Sequence, residues 1–468
     1  MRYDLIIRNG QVVDSRDVYR ADVAVHQGRI AAVGDLRGQQ AFEEYDASGK
    51  YVFPGFIDEH VHSRDPGLTH KEDFAHSSRS AAAGGITTII EMPNSVPPVR
   101  DVASFRARAE HLGAQAFVDF ALWGMVLGDL NRADLPALAQ EGVVGFKLFW
   151  GYALNPRTFA LVYNFQPGDD VILPPDEGAI FEAFCTIART GKPVAIHAEN
   201  SAVISRLARA EIAAGGKDYA SFLRSRPPFT EAHTTRSGIQ LAAAAGVHLH
   251  VLHVTAAEAV EEIAAARARG QAVTAETCPH YLTLTDEDYA RLGIQMKVYP
   301  PIRERRHQER LWQAIARGEL QALGSDHAPH AVEEKVGDLW TAPAGGSTIQ
   351  EMVTVMLNHV HAGRLTLSQV AALLAENPAR IWGLYPRKGT VQPGADADIT
   401  IVDMDREVTL ASERLLSKCK VSMYDGMRCR GTPVATFLRG RLIMRDGELV
   451  GEPQGQLVKP VSPAQARW

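Results

Sequence analysis

Six residues of this 468-residue chain have types and positions suited to holding divalent cations: His60, His62, Lys147, His197, His253 and Asp326. In His60-Val61-His62 the imidazoles are two residues apart, so on an extended strand both point to the same side and can share one cation. His197 ends the apolar run in PVAIHAEN, His253 the run in HLHVLHVT, and Asp326 follows QALGS. Lys147, in VVGFKLFW, is the odd member, because an ammonium ion would be repelled by neighbouring divalent metals. It must be neutral with a depressed pKa, be converted to an anion, or pair with a nearby acid. A carbamate, formed when the amine adds carbon dioxide, would offer two oxygens able to bridge two metals. Of the 17 histidines, His26, His76, His111, His248 and His307 fall on helical or surface patterns, and His250 reads as a packing residue in an apolar strand.

The elements that must position these groups are eight short apolar runs, at 55–62, 86–93, 117–124, 143–150, 193–200, 248–255, 272–282 and 321–330. Ala-rich helical stretches such as AEAVEEIAAARARG separate them. Repeated strand-helix alternation predicts an α/β fold, a (β/α)8 TIM barrel whose sites lie at the C-terminal ends of the strands, where these residues fall. Before it, 1–55 shows period-2 alternation with a hairpin break at Gln27-Gly28. The same character returns in ADITIVD and in VATFLRGRLIMRDGELV, with a turn at Asp446-Gly447. The expected organisation is a small β-sandwich domain formed by both termini, 1–55 plus 387–468, around a barrel at 56–386. The tail from Gly451, poor in apolar residues, is expected to lie extended on the surface.

Composition narrows the partners. Forty-nine Lys and Arg against 55 Asp and Glu give a net charge of -6, which offers no field for nucleic acid or an anionic membrane. Four cysteines are too few for a disulfide framework and fit a reducing cytoplasmic setting. No signal-peptide core and no run of about 18 apolar residues is present, so a membrane span is not expected. A small molecule is the expected partner.

Taken in order, PGFIDEHVHSRDPGLTHKEDF, AAAGGITTIIEMPN, GFKLFWGY, AIHAEN, VLHVT, CPHYLTLT, SDHAPH and ENPARIWGLYPRKGTVQPGADADITIVD resemble the cyclic amidohydrolases. These are the dihydroorotases, allantoinases, hydantoinases and dihydropyrimidinases of the amidohydrolase superfamily. The resemblance spans nearly the whole chain. It implies two divalent metal ions, usually zinc: His60, His62 and Asp326 on the more buried one, His197 and His253 on the more exposed one, and Lys147 bridging them as N6-carboxylysine. It also implies hydrolysis of a cyclic amide by a bridging hydroxide, with Asp326 as general base and then acid, and self-association as a homodimer or homotetramer.

The substrate marks are mixed. Arg64, Asn94 and His330 match the carboxylate contacts of dihydroorotases, and a guanidinium with an amide and an imidazole is good chemistry for a carboxylate. Tyr152 matches the tyrosine with which hydantoinases and dihydropyrimidinases hold the transition-state oxygen. The expectation is a cyclic ureide or imide carrying an anionic group, with 155–175 and the Arg64 to Lys71 loop at the pocket mouth. Alternatives are that Arg64 braces its loop through Asp65 or Glu72, that Tyr152 packs under the loop and that His330 caps a turn. At the level of function the alternatives are an amidohydrolase acting on an acyclic amide and a non-catalytic dihydropyrimidinase-like scaffold.

Overall fold

The computed structural model describes every residue except 1, 164, 167, 467 and 468. Two arcs of parallel strands make the central sheet. In the first, Phe56–Val61 pairs with Ile86–Glu91, which pairs with Asp119–Leu122. In the second, Gly124–Met125, Phe146–Phe149, Val194–His197, Leu249–Val251, Val273–Thr277 and Ala322–Leu323 follow in sequence order. Apolar β-branched and aromatic residues fill these runs because a parallel sheet covered by helices is buried on both faces. The arcs join twice. The amide of His62 donates to the carbonyl of His327 (2.8 Å), and the third run breaks at Trp123, whose amide donates to Glu91 (3.2 Å). The sheet is thereby a closed barrel of eight runs.

Three runs differ from the expected strands. The eighth keeps only two strand residues, so Asp326 stands three positions beyond Leu323. His253 stands two beyond Val251. The seventh turns from the strand Val273–Thr277 into the helix Pro279–Thr283, since proline suits a first helical turn, where its missing N–H is not needed.

The terminal segments form two further sheets. One holds Arg29–Gly34, Asp22–His26, Tyr3–Arg8 and Ala41–Asp46. In the other, Ile399–Thr409 pairs with Tyr51–Pro54 on one side and with Arg428–Leu438 on the other, so strands from both chain ends share it. Leu5, Ile7, Val23 and Val25 of the first sheet pack with Val52, Ile399, Ile401 and Phe437 of the second. The turn at Gln27 and Gly28 has φ of 51° and 75°, the left-handed pair that a tight two-residue hairpin requires.

The C-terminal tail departs from the expected surface course. The carbonyl of Gln456 accepts from the amide of Phe120 (3.0 Å), and the amide of Val458 donates to the Phe120 carbonyl (2.7 Å). Val458 is fully buried against Trp123 and Trp382. The break at Trp123 explains this: it leaves the Asp119–Leu122 edge without a strand partner on that side, and the tail's few apolar residues fill the gap. Nearby, the buried ammonium of Lys388 meets Asp119 (2.6 Å) in the barrel and Asp396 (3.0 Å) and Asp398 (2.5 Å) ahead of the terminal sheet. No helix among the described residues is long and apolar enough to cross a membrane.

Removing a cation from a buried cluster leaves its acids uncompensated, at a cost of roughly 3–5 kcal/mol. Lys388→Met is therefore expected to lower the urea midpoint of unfolding strongly. Lys459→Met, which removes an exposed ammonium 3.7 Å from Glu141, should barely move it.

Candidate functional site

Each site residue leaves the barrel at the same end, and the local backbone aims several of them. Arg64, His253 and Asp326 have φ of 62°, 39° and 46°, a left-handed conformation that non-glycine side chains rarely adopt and that surrounding structure must hold in place. All ten residues singled out by sequence, His60, His62, Arg64, Asn94, Lys147, Tyr152, His197, His253, Asp326 and His330, line one cavity of about 510 Å³.

Two donor groups converge at its floor. The Nε2 atoms of His60 and His62 lie 3.3 and 3.4 Å from one oxygen of Asp326. His197 Nδ1 lies 2.8 Å from His253 Nε2. The fully buried Nζ of Lys147 has no hydrogen-bond partner. Burial pushes that amine down to about 7. A substantial share of the amine is thereby neutral at neutral pH, the form that adds carbon dioxide, and a carbamate in this position would satisfy an otherwise orphaned buried group. Burial also holds His60 and His253 well below the ordinary imidazole range, so each presents a lone pair rather than a positive charge. Burial alone would raise Asp326, but His60, His62 and His253 hold it well below the usual carboxylate range. Neutral imidazoles, a carboxylate and an unpartnered amine fit divalent metal ions.

The residues behind these groups fix which nitrogen faces inward. His60 Nδ1 is bonded to the buried carboxylate of Glu276. His62 Nδ1 meets Asn94 Oδ1 at 2.8 Å. His197 Nε2 meets Glu199 Oε2 at 3.0 Å, and Arg226 donates to the same oxygen at 2.7 Å while stacking 3.5 Å over the Tyr299 ring. Burial would raise Glu199, yet Arg226 and His197 hold it down to about 2, so it remains an acceptor. The sequence reading missed Glu276, Glu199 and Arg226. Glu276 and Glu199 had a signal, each being a carboxylate in or just past an apolar strand run; Arg226 had none.

The substrate-facing residues are arranged differently from a simple carboxylate clamp. Asn94 spends its oxygen on His62, keeping its Nδ2 as a donor. His330 Nε2 lies 3.0 Å from the Ala344 carbonyl and 3.3 Å from Arg64 Nη2, and its Nδ1 lies 3.2 Å from Lys71 Nζ. Burial and the cations Arg64, Lys71 and Lys335 keep this imidazole neutral. Arg64 donates through Nε to Pro329 (3.2 Å) and forms no ion pair with a carboxylate among the described residues. Asp65 is taken by His111 and Gln115, and Glu72 by Ser417 and Lys418, so neither braces Arg64. The Tyr152 hydroxyl reaches His197 Nε2 at 2.8 Å while its ring packs with Phe149 and Leu154. Of the mouth segment 155–175, Asn164 and Pro167 lie outside the described residues.

The chain resembles known proteins over nearly its whole length. The sequence model described as "Amidohydrolase family" matches residues 51–443. The chain is 38% identical over 463 residues to an L-hydantoinase of Paenarthrobacter aurescens, covering 97% of this chain and 98% of that one. It is 41% identical over 463 residues to an allantoinase of Rubrobacter xylanophilus, covering 98% of each. Among solved structures, L-hydantoinase (dihydropyrimidinase) from Arthrobacter aurescens superposes with a TM-score of 0.92 at 38% identity, over 98% of this chain and 100% of that one.

Loss of an outer carboxylate that orients a metal-binding imidazole typically weakens metal binding about 10–100-fold. Glu276→Gln should do so here, read by competition with a chromogenic chelator, with the circular dichroism spectrum unchanged.

Proposed function

The chain belongs to the amidohydrolase family, and on that premise we propose that it hydrolyses a C–N bond of a cyclic ureide or related cyclic amide. The observation that carries this is the convergence of His60, His62 and Asp326 on one side, and His197 and His253 on the other, around the unpartnered amine of Lys147. His60, His62 and Asp326 would hold one divalent ion and His197 and His253 a second. Lys147 would link the two as its carbamate, and zinc is the expected metal. When bound, the pair supplies Lewis acidity toward the substrate carbonyl and the attacking water.

The remaining steps fall to the chain's own side chains. Asp326 accepts a proton from the attacking water and delivers it to the departing ring nitrogen. Burial keeps the Tyr152 hydroxyl protonated, well above its ordinary range, so it can donate to the carbonyl oxygen as negative charge develops there. Arg64, without a carboxylate of its own, binds an anionic group on the substrate, and Asn94 adds its amide donor. His330, whose nitrogens face Lys71 and the Ala344 carbonyl, holds that side of the pocket in shape. The reading extends to the division into 1–55 plus 387–468 and 56–386, and to assembly as a homodimer or homotetramer, checked by sedimentation.

Protein grown with zinc should contain close to two metal ions per chain by elemental analysis, and well under one would end the proposal. Lys147→Ala should lower turnover by roughly 100-fold or more, since it removes a metal ligand rather than an outer support, and short-chain carboxylic acids should restore part of it. Arg64→Ala should raise KM about tenfold for rings bearing a carboxylate, the value of a charge-assisted hydrogen bond, and leave neutral rings unchanged. A panel of dihydroorotate, allantoin, hydantoins, dihydrouracil and succinimide reads both.

A further inference from the structure

The cavity lining beyond the metal-ligating residues is rich in cations. Arg64, Lys71 and Lys297 all belong to it, whereas among the described residues the only lining carboxylate is Asp326. Lys297 is buried, and its ammonium is held by the carbonyls of Trp340 (3.4 Å) and Ala342. Behind it, buried Lys335 is held by the carbonyls of Gly345 (2.9 Å), Pro343 and Lys297. Among the described residues, the sole acid within ion-pair reach of Arg64, Lys71, Lys297 or Lys335 is Glu334, 3.0 Å from Lys71.

Position within the wall matters as much as charge. Arg64 and Lys71 lie against opposite nitrogens of the neutral His330 ring. Exposure rises outward, from 10% for the Asp326 side chain to 15% for Lys71 and 34% for Glu334. Arg64 follows His62 of the metal-ligating pair by two residues, while Lys71 lies beside the more exposed Glu334 on the other nitrogen of His330, which makes Lys71 the outer cation. At about 510 Å³ the cavity also falls in the range of roughly 300–1,000 Å³ that accommodates a drug-sized ligand, more than a bare five- or six-membered ring needs.

We propose that Lys71 is a specificity-determining residue, and that the preferred substrate carries its anion at the end of a side arm, seated between Arg64 and Lys71, rather than directly on the ring. The substrate class is a cyclic ureide with a carboxylate-terminated arm. Water adds its oxygen to the ring acyl carbon, the ring C–N bond breaks, the departing nitrogen takes one of the water's protons, and the other is released as the new carboxyl group ionises. The product is an open-chain carbamoyl amino acid with two carboxylates. Glu334 competes with the arm for the Lys71 ammonium. This inference rests on the ring-opening reading and refines it.

The test compares hydantoin substituted at carbon 5 with a carboxyethyl arm, its carbamoylethyl counterpart, which has the same shape without the charge, and dihydroorotate, whose carboxylate is on the ring. The zinc-loaded protein should prefer the acid arm over the amide arm by about tenfold in kcat/KM, and should also prefer it over dihydroorotate. Lys71→Met should raise KM for the acid arm about tenfold with little change in kcat and change KM for the amide arm far less, with the circular dichroism spectrum as its folding control. Glu334→Gln should lower KM for the acid arm several-fold. Equal turnover of the two arms, preference for dihydroorotate, or equal effects of Lys71→Met on both arms would overturn the inference while leaving ring hydrolysis intact. Failure to open any ring would instead overturn the hydrolase reading and this inference with it.

Discussion

The hydrogen bond from the His62 amide to the His327 carbonyl closes the barrel, and the site depends on that closure. Its two partners come from the first and the eighth strand runs, far apart in sequence. Joining them sets Asp326 against the Nε2 atoms of His60 and His62. Because every strand in the barrel runs the same way, His197, His253 and Lys147 leave at the same end. An open sheet of the same strands would spread these groups along its edge and hold no common cation.

Closure concentrates polar groups where water is excluded, and each must then be matched. Carboxylates behind the imidazoles do much of this. Glu276 and Glu199 take the outward nitrogens of His60 and His197, turning the inward ones into acceptors for a metal. Arg226 in turn keeps Glu199 ionised. Lys388 does the corresponding work outside the site, where a single ammonium answers three acids and ties the barrel to the segment leading into the terminal sheet. The tail contributes in the same region, completing the edge left by the break at Trp123. The cationic wall is the contrary case: among the described residues Lys297 is met by backbone carbonyls instead of acids, and with Arg64 and Lys71 it leaves a positive field facing the cavity.

Much of the barrel was legible in the sequence, because apolar runs of strand length alternating with helical stretches have few other closed solutions. The histidine pair two residues apart announced its geometry through the strand repeat alone. What failed were features set by partners distant in sequence. The tail's Val458 looks too isolated to be buried, and Leu457 to be half-buried, until the break at Trp123 exposes an edge for them. The helix at Pro279–Thr283 sat inside a run whose β-branched start reads as strand throughout. Arg64, Asn94 and His330 were legible as a group, but their division of labour was not, since Asn94 faces His62 and His330 faces Lys71 only once the loops are folded.

The sequence by itself determined the residue types of the site, their order along eight runs and the amidohydrolase character those motifs carry, since local spacing and strand direction are properties of short segments. The tertiary structure alone decided which nitrogen each imidazole turns inward, which carboxylate stands behind it, and that Arg64 keeps a guanidinium without an acid while Lys71 stands beyond it. Those outcomes depend on contacts between loops of different strands at hydrogen-bond distance, where a shift of about an ångström changes the partner.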